Sequence, residues 1–60
     1  MQRVIVQFEN YFPEVEIRQP DSLDFHSKKA AEKWIRVVEK LKLKSHTLGE
    51  RRVENCRIVE

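Results

Sequence analysis

The chain has 60 residues, of which 40% are hydrophobic and 37% are charged, with a formal net charge of +2 and one cysteine. This length allows one domain, and the single cysteine excludes an intrachain disulfide. No apolar run approaches the roughly 20 residues that cross a bilayer, and no signal peptide is apparent, so we expect a cytoplasmic protein without membrane contact.

Two strands are predicted in the first third of the chain. Residues 3–9 and 14–19 both alternate between apolar and polar side chains, and Val15 and Ile17 are expected to face the core. The short connection between these segments predicts an antiparallel hairpin. Pro20 is expected to end the second strand, because proline cannot donate a backbone hydrogen bond to a neighbouring strand.

The predicted turn between these strands is aromatic. Tyr11 and Phe12 precede Pro13, which favours an extended conformation at Phe12. These two side chains either cover the open end of the core or form an exposed recognition tip, and aromatic residues often dominate binding energy. We therefore retain Tyr11 and Phe12 as candidate partner-binding residues.

An amphipathic helix over residues 27–43 is the strongest structural pattern in the sequence. Trp34 and Leu41 lie on its apolar arc, and charged residues occupy the rest of the surface. Ser27 is the expected N-cap, with Asp24 as an alternative. The pattern predicts a helix that packs on a hydrophobic core.

A third strand is predicted over residues 52–59. A bulge at Glu54 and Asn55 would turn Cys56 and Ile58 toward the core. The element order is therefore β-β-α-β over the whole chain. The predicted fold is a small α+β domain in which an antiparallel sheet packs on one helix, and the position of the third strand in that sheet is open.

The polar side of the predicted helix carries a basic stripe. Its members are three or four residues apart: Lys29, Lys33, Arg36, Lys40 and Lys44. Such a stripe can bind an acidic protein surface or follow the phosphates of a nucleic acid. It can also remain solvated, with Glu32 and Arg36 paired one turn apart.

The residues at the predicted helix start read Phe25-His26-Ser27-Lys28-Lys29-Ala30-Ala31-Glu32-Lys33-Trp34. This segment locally resembles the helix start of two nucleic-acid-binding families, the double-stranded RNA-binding domain and the arm-binding domain of phage-type integrases. Both families place their sheet before this helix, and this chain lacks the glycine that usually precedes Ser-Lys-Lys, so we assign neither family. The resemblance implies Lys28 and Lys29 as phosphate contacts.

No catalytic motif stands out in the sequence. A pair of Cys56 with His26 or His46 is conceivable as a nucleophile, but a free cysteine is more often a small core residue. The same three residues lie too far apart in sequence for a typical structural zinc site. We therefore predict no enzyme activity, no metal and no cofactor.

The leading functional hypothesis is a small protein-binding module that occludes a site on a larger protein, as phage and mobile-element inhibitors do. Its expected partner surface is acidic, and homo-oligomerisation is also open, because so small a core barely offsets the entropy of ordering the chain. The alternative is nucleic-acid binding through the cations of the helix: Lys28, Lys29, Lys33, Arg36 and Lys40.

Overall fold

The computed structural model describes residues 3–59. Its elements are β1 (Val4–Phe12), β2 (Ile17–Phe25), α1 (Lys28–Val38), β3 (Leu43–Ser45) and β4 (Gly49–Val59). The strands form an antiparallel sheet in the order β2-β1-β4-β3, and α1 packs against it. The predicted α+β fold is confirmed; the predicted third strand is β4, which pairs with β1, and β3 was not predicted.

β1 lies between β2 and β4 and supplies much of the core. Val4, Val6 and Phe8 are buried on the side of the sheet that faces α1, and Val6 has no exposed surface. The alternation of residues 3–9 predicted this burial correctly. The same pattern continues beyond the predicted end of the strand as far as Phe12, which is also buried.

α1 begins directly after its predicted N-cap. The Oγ atom of Ser27 accepts a hydrogen bond from the backbone N–H of Ala30 at 3.1 Å, which satisfies one free amide of the first turn. In the middle of the helix, Trp34 packs on Phe8 and Phe25, with ring centroids 5.1 and 5.6 Å away. This aromatic cluster joins the helix to both β1 and β2.

The helix ends earlier than the sequence pattern indicates. α1 ends at Val38, and the next backbone N–H groups of Lys40 and Leu41 bond to carbonyls three residues earlier, which tightens the chain into a turn. The prediction of a helix over 27–43 is therefore wrong at its C-terminal end. The chain leaves the helix and Leu43 starts β3, where it packs against the core.

β2 also differs from its prediction. The strand covers Ile17–Phe25 instead of 14–19, and Val15 lies in the preceding turn with its side chain exposed. Pro20 lies inside the strand, opposite Glu9 of β1. Proline is tolerated there because β2 is an edge strand, where only one side of the backbone has a partner.

β4 contains a bulge opposite β1. The pairing register shifts between Gln7 and Glu9 of β1, and Asn55 at this point has a φ of 55°. Asparagine tolerates this left-handed conformation better than most residues, and its Nδ2 donates a hydrogen bond to Glu9 Oε1. The bulge was predicted here, and Cys56 and Ile58 pack against the core as expected.

Candidate binding surface

The sheet has two sides that differ in charge. α1 and the segment after it lie on one side, the helix side; the opposite side, the open face, carries the remaining side chains of the strands. Residues 26–42 contain six lysine and arginine residues against two glutamates, whereas residues 3–25 contain two arginines against five acidic residues. Positive charge is therefore concentrated on the helix and its connection to β3.

Charges on the open face are paired across strands. Arg18 of β2 donates to Glu54 Oε1 of β4 at 2.8 Å, lies 3.7 Å from Glu9 Oε1 of β1, and stacks 4.2 Å above the ring of Tyr11. The hydrogen bond to Glu54 is the largest cause that raises the pKa of Arg18 above its usual value. This guanidinium is held by three strands of the sheet.

Two further arginines on this face are also bonded. Arg52 donates to Glu50 Oε2 at 2.5 Å, and Arg57 donates to Gln7 Oε1 at 2.6 Å. A partner that approached the open face would have to break these contacts before it could use the charges. The arginines of β2 and β4 that lie on the open face are therefore already bonded within the protein.

Five exposed cations of α1 and the segment after it form no such pairs within the described residues. Within residues 3–59, ion pairs are not formed by Lys29, Lys33, Arg36, Lys40 and Lys42. The pair of Glu32 with Arg36, which belonged to the alternative of a solvated stripe, is also not formed among these described residues. The side chains are exposed and free to contact an anionic partner.

The basic stripe is shorter than predicted. Because α1 ends at Val38, Lys40 lies in the turn after the helix and Lys44 lies in β3. Lys44 is opposite Glu50 in the ladder with β4, whereas the adjacent Leu43 packs against the core, so the side chain of Lys44 points away from the helix side. The prediction that Lys44 continues the stripe is wrong.

Two exposed apolar side chains lie among the unpaired cations. Val37 and Leu41 are each 50% exposed, and Val37 follows Lys33 by one turn of α1. The sequence pattern placed Leu41 on the apolar arc, but it is not buried, because the helix ends at Val38. Val37 lies within α1 and is half exposed there. We name the following five residues the helix patch: Lys33, Arg36, Val37, Lys40 and Leu41.

The predicted aromatic tip does not form. Tyr11 and Phe12 are the last two residues of β1 and not part of the turn. Phe12 is buried, and Tyr11 is half-buried beneath Arg18 on the open face. The prediction of an exposed recognition tip is therefore wrong for these residues, whereas burial of Phe12 agrees with the alternative of a cover for the core.

Cys56 does not have the environment of a nucleophile. Burial, with a smaller contribution from the Glu39 carboxylate, raises the pKa of its thiol to about 11. The group is therefore protonated at neutral pH, whereas a reactive cysteine needs a depressed pKa. In the part of the chain that the structure describes, no group of three or more histidine, cysteine or acidic residues could hold a metal ion.

Comparisons with known proteins do not identify a relative of this chain. No protein-family profile, no curated protein and no solved structure matches the chain. Among residues 3–59, no helix has the length and apolar character needed to cross a membrane.

Proposed function

We propose that the protein is a small non-enzymatic binding module that uses the helix patch to bind an acidic surface of a larger protein. The position of Val37 and Leu41, half exposed among unpaired cations, is the observation that supports this most directly. Protein interfaces combine an apolar centre with a polar rim, and complementary charge guides their association. The helix patch has both features.

The composition of the helix patch favours association energetically. Full burial of one aliphatic side chain is worth about 1.5–3 kcal/mol, so covering the exposed halves of Val37 and Leu41 contributes roughly 2 kcal/mol together. The cations add attraction to an acidic partner without first breaking an internal ion pair. They also speed the encounter, because opposite charges steer the two proteins together.

We further propose that binding itself is the action of the protein. A chain of 60 residues has one core and few surfaces, and covering a site on a larger protein needs only one of them. Small inhibitors from phages and mobile elements work in this way, and we assign the protein to this functional type. A cytoplasmic location is part of the proposal, since a lone cysteine suits a reducing compartment.

Nucleic-acid binding is the second candidate, because three unpaired cations of α1 (Lys29, Lys33 and Arg36) follow one another at helical spacing. The acidic residues of the β1–β2 hairpin would repel a long polyanion. On α1, the ring of Trp34 is packed on Phe8 and Phe25 and is not offered for base stacking. A protein partner is therefore favoured.

A pull-down from the native host tests the proposal. The tagged protein is compared with the double variant Val37→Ser/Leu41→Ser and with the control variant Ile5→Ser/Val59→Ser. The control replaces two apolar residues of the open face, Ile5 and Val59, which are 38% and 37% exposed. We expect capture of a protein that survives nuclease treatment, is lost in the first variant and is kept in the control. Capture that nuclease abolishes, or equal loss in both folded variants, would contradict the proposal.

A further inference from the structure

One polar residue interrupts the buried row of β1. Val4, Val6, Phe8 and Phe12 are apolar, but Asn10 between them is an amide that is only 7% exposed. A buried amide without hydrogen bonds would destabilise the fold, because it loses its contacts with water. The partners of Asn10 therefore indicate why a polar side chain stands at this position.

Asn10 connects side chains on both neighbouring strands. Its Oδ1 accepts a hydrogen bond from Nη1 of Arg51 at 3.2 Å, and its Nδ2 donates to Oδ2 of Asp21 at 3.4 Å. Asp21 also accepts a hydrogen bond from the backbone N–H of Ser22 at 2.8 Å. This network spans β2, β1 and β4 and fixes the guanidinium of Arg51.

Arg51 is half-buried but lacks an anionic partner. Within the described residues, the contact with Asn10 is its one side-chain hydrogen bond, and it forms no ion pair. A guanidinium has five N–H donors, so most of them remain available. Arg18 and Arg52 on the open face, by contrast, are each bonded to a glutamate.

A cleft of about 350 Å³ lies beside Arg51. Residues of all four strands and of the turn after β3 line it, and its polar side chains include Asn10, Gln19 and His46. Gln19 is opposite Asn10 in the β1–β2 ladder, so its amide borders the same network. The cleft has room for a carboxylate group together with water, since a water molecule occupies about 30 Å³ in the liquid.

We propose that this cleft is a carboxylate-binding site whose ligand is held by Arg51. The planar guanidinium can donate two parallel hydrogen bonds to a carboxylate. Because its contact with Asn10 already restricts the Arg51 side chain, less conformational entropy is lost when the carboxylate binds. In the complex, the carboxylate belongs to an aspartate or glutamate of the acidic partner. The assignment of this carboxylate to the acidic partner rests on the proposed function. The ability of Arg51 to bind a carboxylate does not depend on it.

An NMR titration tests the site with defined probes. Protein labelled with ¹⁵N receives sodium acetate, a capped peptide with one glutamate, or inorganic phosphate, with chloride keeping the ionic strength constant. We expect acetate and the peptide to shift the Nε–Hε signal of Arg51 to saturation while that of Arg52 stays in place. Absence of a saturable shift with both carboxylates, or binding of phosphate without acetate, would overturn the proposal.

Two lysine variants distinguish the bidentate hydrogen-bond geometry of the guanidinium from its positive charge. Arg51→Lys keeps the charge and loses bidentate geometry, so we expect acetate, followed in both proteins through the side-chain amide signals of Asn10, to bind about tenfold more weakly. Arg52→Lys makes the same change at the adjacent position on the open face and should leave acetate binding unchanged. Equal acetate affinity in folded Arg51→Lys and in the unmodified protein would contradict the assignment.

The variant of the helix patch distinguishes this site from the proposed function. Val37→Ser/Leu41→Ser should lose partner capture and keep acetate binding at Arg51. A failed acetate titration therefore rejects the Arg51 site alone. Unchanged partner capture by the folded patch variant rejects the helix patch alone.

Discussion

The two sides of the sheet use their charges in opposite ways. On the open face, Arg18 bonds to Glu54 and stacks on Tyr11, so the charge is already satisfied within the protein. On the helix side, Lys33 and Arg36 have no ion-pair partner among the described residues and lie beside exposed apolar surface. Both surfaces are rich in charge, and the pairing of those charges is what distinguishes a surface available for binding from one that is not.

Removal of the Trp34 ring is expected to have the largest effect, because this ring joins the helix side to the sheet. Trp34→Ala should lower the free energy of unfolding by about 3 kcal/mol, since it leaves a cavity between α1 and the rings of Phe8 and Phe25. Urea denaturation followed by circular dichroism measures the change. A loss below about 1 kcal/mol would contradict the role of the cluster. The free energy of unfolding of Trp34→Phe should lie between those of Trp34→Ala and the unmodified protein.

Removal of the N-cap is expected to have a smaller effect on the same helix. Ser27→Ala should cost about 1 kcal/mol, because the backbone N–H of Ala30 loses its acceptor. Ser27→Asn restores an acceptor and serves as the control in the same urea experiment. The other candidate cap, Asp24, lies in β2, so Asp24→Ala should leave the start of the helix unchanged; equal destabilisation by both alanine variants would show that the cap is misassigned.

A double-mutant cycle compares a paired and an unpaired charge directly. Arg18→Met and Glu54→Gln should show a favourable coupling that is smaller than the effect of the cap and weakens at high salt, because both side chains are exposed. The matched cycle on α1, Glu32→Gln with Arg36→Met, should show less coupling because these side chains do not pair. Stronger coupling on the helix than on the open face would reverse the comparison.

The smallest expected effect concerns Cys56, which packs against the core on the helix side. Burial there disfavours the charged thiolate and raises the pKa of the thiol. The thiolate absorbance near 240 nm should titrate with a midpoint at about pH 11 in the folded protein and near 9.0 in the unfolded chain. The folded state therefore holds the proton more tightly, and this stabilisation is complete below pH 9 and lost as the pH rises toward 11. A folded-state midpoint at or below 9 would show that the thiol is not shielded.

Local patterns in the sequence predicted the parts of the fold that depend on neighbouring residues. Alternation identified β1, and Ser27 before a helical pattern identified the start of α1. The bulge at Asn55 followed from a break in the alternation of β4. The first two features are set by side chains within one element, and the bulge leaves a break in the alternation of its own strand, so the sequence alone indicated all three.

Features that depend on distant contacts were not predictable in the same way. The polar segment after Pro20 forms a strand because β1 pairs with it along its whole length, although its composition indicates a connection. Leu43 fits both a continued helix and a new strand, and pairing with β4 decides between them. The position of Lys44 depends on that decision, and the pair of Arg18 with Glu54 joins residues 36 positions apart.

The most direct test of the account is a lysine acetylation footprint of the complex recovered in the pull-down. Acetylation rates of individual lysines are measured by mass spectrometry in the free protein and in the complex. We expect Lys33 and Lys40 to react several-fold more slowly in the complex, and Lys28, at the first position of α1 and outside the helix patch, to react at the same rate as in the free protein. Unchanged rates at Lys33 and Lys40, or equal protection of all three lysines, would contradict binding through the helix patch.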